Sequence, residues 1–488
     1  MDNLLFPDVV TDDSVQMGRG LQGVPESMLS LLMTENPIES IRKALSIGYD
    51  VDPATMTDGT AFRLESLEPD LKNLVFNQQS TVMANDLLAS KKIAASTVEQ
   101  YSTIDDISEA FTYLEGGLPP QEDDTYSRRF EQIKYIGAVG QVTNVIQQAK
   151  NMVSAMEREN KSKLLAIMRK LNVLSYFGDK TLVSTEFNGF FKAVESFDSG
   201  SLVESNIIDL RGYRPTLEKF NQGVQVIQSV SGYTDKLRLY LSINSRYEYK
   251  NQLLANKQYF VNGGLNSQVQ GVEGNKLIYD GGEAPMRPDM FLNPRKFPRM
   301  AGGSFIVTGD TPPATPTITS VTPTADATSQ LDAGTYDYAI VAVNKFGQKS
   351  VPSVVAATQD VAVAAGEKVV FVVADSGTSP ASAVATAFEV YRRASTKTAD
   401  TDYRYLFTAA IGTASDTGAW LPDTSCMFLI EWDQDQVCAY HQLMDVMRFP
   451  LANVADSVRW LLRMYGALLV YNPKRVVIFK NAGSTPVA

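Results

Sequence analysis

The 488-residue chain holds one histidine, two cysteines and three tryptophans. The single imidazole, His441, is the one candidate base for a Ser-His-Asp or Cys-His arrangement. It sits in the strand-like stretch Ala439-Tyr440-His441-Gln442-Leu443 and reads as structural, because nucleophilic catalysis also needs a converging partner and oxyanion donors. The two thiols, Cys426 and Cys438, make no disulfide framework. Two strand residues could bridge if paired, but free buried thiols in a reducing compartment are the expectation. Two thiols and one imidazole also fall short of a four-ligand zinc set. No run of 18 apolar residues occurs, so no transmembrane helix and no membrane partner are expected. The opening residues, MDNLLFPDVVTDD, lack the basic region and apolar core of a secretory signal.

Phosphate-binding loops are missing too. Gly302-Gly303 and Gly263-Gly264 read as turn glycines. Gly18-Arg19-Gly20-Leu21-Gln22-Gly23 matches the bare dinucleotide spacing, yet no apolar strand precedes it and no βαβ unit follows, so the match is accidental. Asp105-Asp106 and Glu122-Asp123-Asp124 lack a calcium loop and read as solvated surface. The expectation is therefore no cofactor, no metal and no catalytic residues. The charge balance, 44 bases against 55 acids for a net −11, makes a poor general binder of duplex DNA. Residues 1–100 alone hold 15 acids against 7 bases. That suits ordinary solubility, or a protein that must not adhere to nucleic acid packed beside it.

What is present is a globular balance, 44% hydrophobic and 20% charged, in a chain long enough for two or three cores. Its composition breaks sharply at residues 313–425. Ala, Thr and Val supply 53 of these 113 residues, with three Leu and neither Met nor His. Strand-like runs recur there at sandwich spacing: Tyr336–Val343, Lys368–Ala374, Phe388–Arg393 and Tyr403–Ala410. The stretch Tyr336-Asp337-Tyr338-Ala339-Ile340-Val341-Ala342-Val343-Asn344, with Gly347 and Pro352 after it, resembles the fibronectin type III and immunoglobulin-like pattern. An all-β sandwich is thus expected as an insertion in a larger α+β domain that resumes at Cys426.

The host reads as follows. Residues 1–95 form an arm of short helices punctuated by Gly18, Gly20, Gly23 and Pro25. Residues 96–142 read as a long hairpin, with an ascending strand Ser96–Ile104, a descending strand Ser127–Ile136 and a polar Gly-Gly, Pro-Pro loop between them. Such an arm is marginal alone in water and must rest on something, a neighbouring subunit being the natural candidate. The acids Asp105, Asp106, Glu122, Asp123 and Asp124 and the bases Arg128 and Arg129 are the candidate inter-subunit contacts, able to set register between copies. A helix over about 146–176 follows, with Val153, Met156, Leu164, Ile167, Met168, Leu171 and Leu174 at helical spacing. Helices and strands alternate over 180–310. After the insert, Met427–Trp432, Val437–Gln442 and Val476–Lys480 read as strands. The apolar run Val458–Tyr471 fits a buried strand or a buried helix equally well.

That order resembles the major capsid proteins of tailed bacteriophages, which share the Hong Kong 97-type fold. The likeness extends to those of contractile-tailed phages with an immunoglobulin-like insertion near the C-terminus. The matching stretches are Tyr176-Phe177-Gly178-Asp179, Phe388-Glu389-Val390-Tyr391-Arg392, Phe449-Pro450-Leu451-Ala452 and Met464-Tyr465-Gly466-Ala467-Leu468. The resemblance implies an N-terminal arm at 1–95, an E-loop at 96–142, and peripheral and axial domains at 143–312 and 426–488, with a spine helix over Ile146–Tyr176. It also implies the insertion at 313–425. It implies a virion protein, assembled in the host cytoplasm, that forms hexamers and pentamers around packaged double-stranded DNA without reading its sequence. Scaffolding, portal and decoration proteins would be its candidate partners. Two other classes of protein share parts of this pattern. A surface adhesin would use the immunoglobulin-like module but needs a signal and an anchor. A hydrolase with an accessory module needs a catalytic constellation.

Overall fold

The computed structural model describes residues 80–148, 154–198, 206–232, 234–255, 276–279, 282–294, 300–301, 304–305, 312–375, 384–452 and 455–483. The chain divides into compact units Met1–Leu71 and Lys72–Ala488, and every described residue belongs to the second. The expected short helices before residue 80 and the Gly18–Gly23 stretch lie outside the described residues.

Helix α1 (Val82–Ala89) precedes the first of four strands in one sheet, ordered β1 (Lys92–Ile93), β19 (Cys438–Leu451), β20 (Ser457–Val470) and β4 (Lys134–Thr143). The short helix α2 (Asn144–Gln148) and the 23-residue α3 (Ala155–Phe177) follow β4. The helix expected over 146–176 is thus, among the described residues, α3 with α2 as a separate turn; residues 149–153 lie outside the description. Ile167, Met168, Leu171 and Leu174 form the buried stripe of α3, while Glu159 and Lys163 pair at 3.1 Å on its wet side.

The undecided run Val458–Tyr471 is a strand. Its first half alternates: Trp460, Leu462 and Met464 are buried, while Arg459, Leu461, Arg463 and Tyr465 lie on the other, half-exposed face. Its second half, Gly466–Val470, is buried on both faces, which is why no period showed there. Gly140 of β4 pairs with Trp460, and a Cβ there would come 2.6 Å from the indole. The glycine lets the large ring lie flat against the neighbouring strand.

Helix α4 (Phe190–Asp198) leads to a second, six-stranded sheet. Its order is β5 (Ile207–Asp209), β21 (Val476–Ala482), β18 (Ser425–Glu431), β6 (Leu237–Leu241), β8 (Gly282–Pro288) and β7 (Lys276–Tyr279). Helices α5 (Leu217–Ser231) and α6 (Ile243–Ala255) connect its strands, and Thr216 caps α5 by accepting from Lys219 N at 3.4 Å. All seven residues of β18 are buried. Phe428 and Ile430 face one core with α3, while Met427 and Leu429 face another with Phe220, Val224 and Ile227 of α5. A strand covered on both sides reads as a continuous apolar run. At the end of β8, Asp289 accepts from Asn172 Nδ2 at 2.9 Å and Tyr176 Oη at 3.0 Å, tying this sheet to α3. Burial raises the Asp289 carboxyl above its ordinary range.

Past a short ribbon, β9 (Met300–Ala301) with β10 (Ser304–Phe305), the insert forms two facing sheets. One is ordered β11 (Thr317–Ala325), β14 (Glu367–Ala374), β17 (Gly412–Asp416). The other is β13 (Val361–Val363), β12 (Gly334–Asn344), β15 (Ala385–Ala394), β16 (Arg404–Ala410). Tyr338, Ile340, Phe371, Phe388, Val390 and Leu406 fill the space between them. The two sheets pack face to face as a sandwich. Its strand order, first-fourth-seventh facing third-second-fifth-sixth, differs from the ABED and CFG sheets of an immunoglobulin constant domain. Arg392 and Asp416 close the two sheets at 2.6 Å, and Tyr338 Oη donates to Asp416 at 3.1 Å. The return to the host is seated firmly. Trp420 stacks 5.4 Å from Phe191, and Leu421 N donates to Asn481 Oδ1 at 3.0 Å.

Candidate subunit interface

The hairpin forms as β2 (Val98–Asp106) antiparallel to β3 (Thr125–Gln132). Its boundary is shorter than the 96–142 expected. Residues 134–143 are β4, a core strand paired with β20. Ile136 and Val142 are buried beneath α3, so the period-2 pattern past Ile133 belongs to the body.

Register divides the hairpin into two faces. Glu99, Tyr101 and Thr103 lie opposite Glu131, Arg129 and Ser127, and this face leans on the body. Tyr101 Oη donates to Val470 O at 3.1 Å and its ring meets Tyr471 edge-on. Lys180 pairs with Glu131 at 2.8 Å. Glu99 faces the lone histidine, with Oε2 3.5 Å from His441 Nδ1, while His441 Nε2 lies 2.7 Å from Tyr471 Oη. Burial lowers the imidazole pKa, against the opposing pull of Glu99. His441 thus sits at the root of the hairpin between Glu99 and Tyr471.

The other face, Gln100, Ser102 and Ile104 opposite Phe130, Arg128 and Tyr126, turns to solvent. Ile104, Tyr126 and Phe130 are 57%, 64% and 62% exposed. Beyond them, the loop to Asp124 presents Leu114 and Leu118 at 86% and 93% exposure. Apolar side chains gathered this way on a projecting two-stranded arm mark an interaction surface.

The charged candidates separate into distinct roles. Arg129 is half-buried on the inner face and reaches Asp105 of its own chain at 3.8 Å. Hydrogen bonds from Ser127 and Thr103 lower the Asp105 carboxyl below its usual range. Asp124 shapes the loop by accepting from Ser108 N at 2.7 Å and Tyr126 Oη at 3.0 Å. Glu122 accepts from Glu109 N at 3.3 Å. Asp123 is exposed, and Asp106 ends β2. Arg128 is exposed on the outer face and makes no ion pair among the described residues. The acids and bases read as opposed across the hairpin are therefore partly spent on each other. The apolar outer-face residues went unremarked in sequence, although their alternation with Arg128 was the available signal. Cys426 and Cys438 are both buried, and no disulfide joins them. Among the described residues no three His, Cys, Asp or Glu side chains gather as metal ligands, and no helix is long and apolar enough to cross a membrane.

The α+β body thus offers exposed apolar surface on its two-stranded arm. The chain is 22% identical over 485 residues to the major capsid protein of Staphylococcus phage S25-3, covering 91% of this chain and 95% of that protein. The major capsid protein of Staphylococcus phage K matches to the same extent. No family model matches the chain. Among solved structures, the capsid of a native GTA particle aligns over 89% of this chain and all of that one, at 7% identity and a TM-score of 0.46. The resemblance to phage major capsid proteins read from the sequence is also that of its curated relatives.

Proposed function

We propose that this chain is the major capsid protein of a tailed phage, of Hong Kong 97-like fold, whose copies assemble into the icosahedral shell around the double-stranded DNA genome. The observation that carries the reading is the arm β2–β3, whose apolar outer face is left to solvent on a single copy. That face is a subunit contact, and Arg128 at its centre fixes register with the neighbour. The sheet β1-β19-β20-β4 with α3 acts as the peripheral domain, and the six-stranded sheet acts as the axial domain. The inserted sandwich, immunoglobulin-like in packing but not in strand order, is displayed outward. The role is structural rather than catalytic. Hexamers and pentamers form in the host cytoplasm, with scaffolding, portal and decoration proteins as candidate partners, and the product is the virion capsid.

Electron microscopy of the expressed chain tests this. Closed shells support it. A chain that stays monomeric at every concentration, with or without co-expressed scaffolding protein, overturns it.

A further inference from the structure

We propose that the inserted sandwich is mounted rigidly on its host, its direction fixed by a clamp at its exit and by a second footing under the turn that follows β12. The inference stands on a single copy and does not need the shell-subunit reading above.

The clamp is Asn481, near the end of β21 and 1% exposed. All the hydrogen-bonding capacity of its amide is used there. Oδ1 accepts from Leu421 N at 3.0 Å and from Thr424 Oγ1 at 3.4 Å. Nδ2 donates to Asp209 Oδ1 and to Ala419 O, both at 2.9 Å. One side chain thus ties three residues of the outgoing chain to the host strands β5 and β21. Among those residues, Trp420 packs against the sandwich core and the host core alike, and Lys480 Nζ lies 5.7 Å over its ring. Domain boundaries ordinarily fall in exposed linkers that few contacts cross. This one is a packed crossing.

Backbone conformation at the junction agrees. Four non-glycine residues have positive φ among the described residues, and three of them meet here: Arg211 at 50°, Asn481 at 54° and Asp423 at 62°. Arg211 N donates to the same Asp209 Oδ1 that Asn481 reaches. Gly212 N donates to Asn481 O at 2.8 Å. Asp423 lies between the clamped Leu421 and Thr424. Such conformations persist only where the surroundings over-determine them, and a loose joint would let them relax.

A clamp at one place would still leave a pivot. The second footing removes it. Thr185, in the loop between α3 and α4, donates from Oγ1 to Lys345 O at 2.8 Å. The turn it supports is itself stiff, because Asn344 Oδ1 accepts from Phe346 N at 3.0 Å and Gln348 N at 2.9 Å. Gly347, at a φ of 77°, faces Lys170 of α3, where a Cβ would come 3.3 Å from Nζ. Glu186 holds that ammonium at 2.6 Å. The two footings stand on different host elements, so the sandwich cannot swing about either one. In a shell, every copy then holds its sandwich at one angle, and a ligand with several arms meets neighbouring sandwiches at fixed spacing.

The test uses the full chain in solution. Cys426 and Cys438 are buried, so nitroxide labels go to Lys161→Cys on α3 and Lys397→Cys on the sandwich, both exposed positions. Pulsed electron paramagnetic resonance should give one narrow distance between them. Asn481→Gly with Thr185→Ala removes both footings and leaves the positive-φ position free of strain. It should widen the distance distribution at least twofold with the circular dichroism unchanged. A broad distribution in the parent, or an equally narrow one in the variant, overturns the mount. A second measurement does not depend on that variant folding. Thr185→Cys with Lys345→Cys should be bridged within one chain by a short bis-maleimide in most molecules, read as a mobility shift on a denaturing gel. Bridging in only a minor fraction overturns the second footing. Neither readout needs shells, so a chain that fails to assemble sinks the shell reading and leaves the mount standing, while a swinging sandwich does the reverse.

Discussion

Replacing Ile104, Tyr126 and Phe130 by threonine should separate folding from assembly. The three residues share the outer face of the hairpin and are each somewhat more than half exposed. Full burial of such side chains stabilises by about 1.5–3 kcal/mol. If a neighbour covers the exposed part, each contributes about 1–2 kcal/mol to the contact and the three together about 3–5 kcal/mol. At about 1.4 kcal/mol per decade, that is a factor of roughly 100 to 4,000 in the association constant of each arm. The single copy loses little, because exposed substitutions usually stay within about 0.5 kcal/mol and threonine keeps the β-preference of the strands. Circular dichroism melts would report the monomer, and sedimentation with microscopy across a concentration series would report the shell. A variant that assembles at the parent's concentration would refute a subunit contact on this face. So would one whose monomer melts far lower.

Four further outcomes are expected. Asp416→Ala strands the buried Arg392 and should cost the module about 3–5 kcal/mol, read as a melting temperature at least ~10 °C lower for the isolated segment 312–424; a matched pair of apolar replacements at both positions should cost less. Replacing 316–416 with a short Gly-Ser linker, while retaining Trp420 and Leu421 where they seat on the host, should leave shells that form with lower protrusions, whereas loss of host folding would show the insert to be integral. Arg128→Glu should slow assembly without moving the monomer melt, while Arg129→Glu, which breaks only a solvent-screened surface pair within the chain, should leave assembly rates unchanged. The lowered pKa of His441 means the folded chain disfavours its protonation, so its contribution is complete above the ordinary value of about 6.5 and is lost as pH falls through the lowered one; His441→Gln should melt with a smaller fall between pH 7 and pH 5 than the parent, and equal falls would exclude a role for the imidazole.

Much of this was legible in the residues, for physical reasons that differ from element to element. The stripe Ile167–Leu174 announced α3 because one of its faces is wet. The insert was legible because its small β-branched residues differ so much from the host. β20 resisted because Ala467–Val470 is covered on both sides and loses its period. The end of the hairpin is hard to place because alternation continues unbroken from β3 into β4, although the covered face passes from a half-buried one to one fully buried beneath α3. The charged candidates were found by type, but which pair within the copy and which face outward depends on a register that charge alone does not reveal.

The central strand of the six-stranded sheet is made late. β6 and β18 are neighbours, yet Ser242 and Ser425, bonded at 3.2 Å at their junction, lie 183 residues apart in the chain. On the ribosome, β5 to β8 emerge without the partners that will cover them, and the sandwich must pass before β18 arrives. Domains fold as units during synthesis, so the sandwich can be complete before the sheet that carries it. A folded insert shortens the effective loop that β18 must close, by about 1 kcal/mol or less in closure entropy. More important is timing. While β18 and β21 are missing, the edge of β6 stands open beside many identical nascent chains, and an open edge pairs with whatever strand is near. The insert therefore sets how long each new subunit stays vulnerable to the wrong partner. Slow-folding variants of the sandwich should appear first as aggregated host domain rather than as defective protrusions.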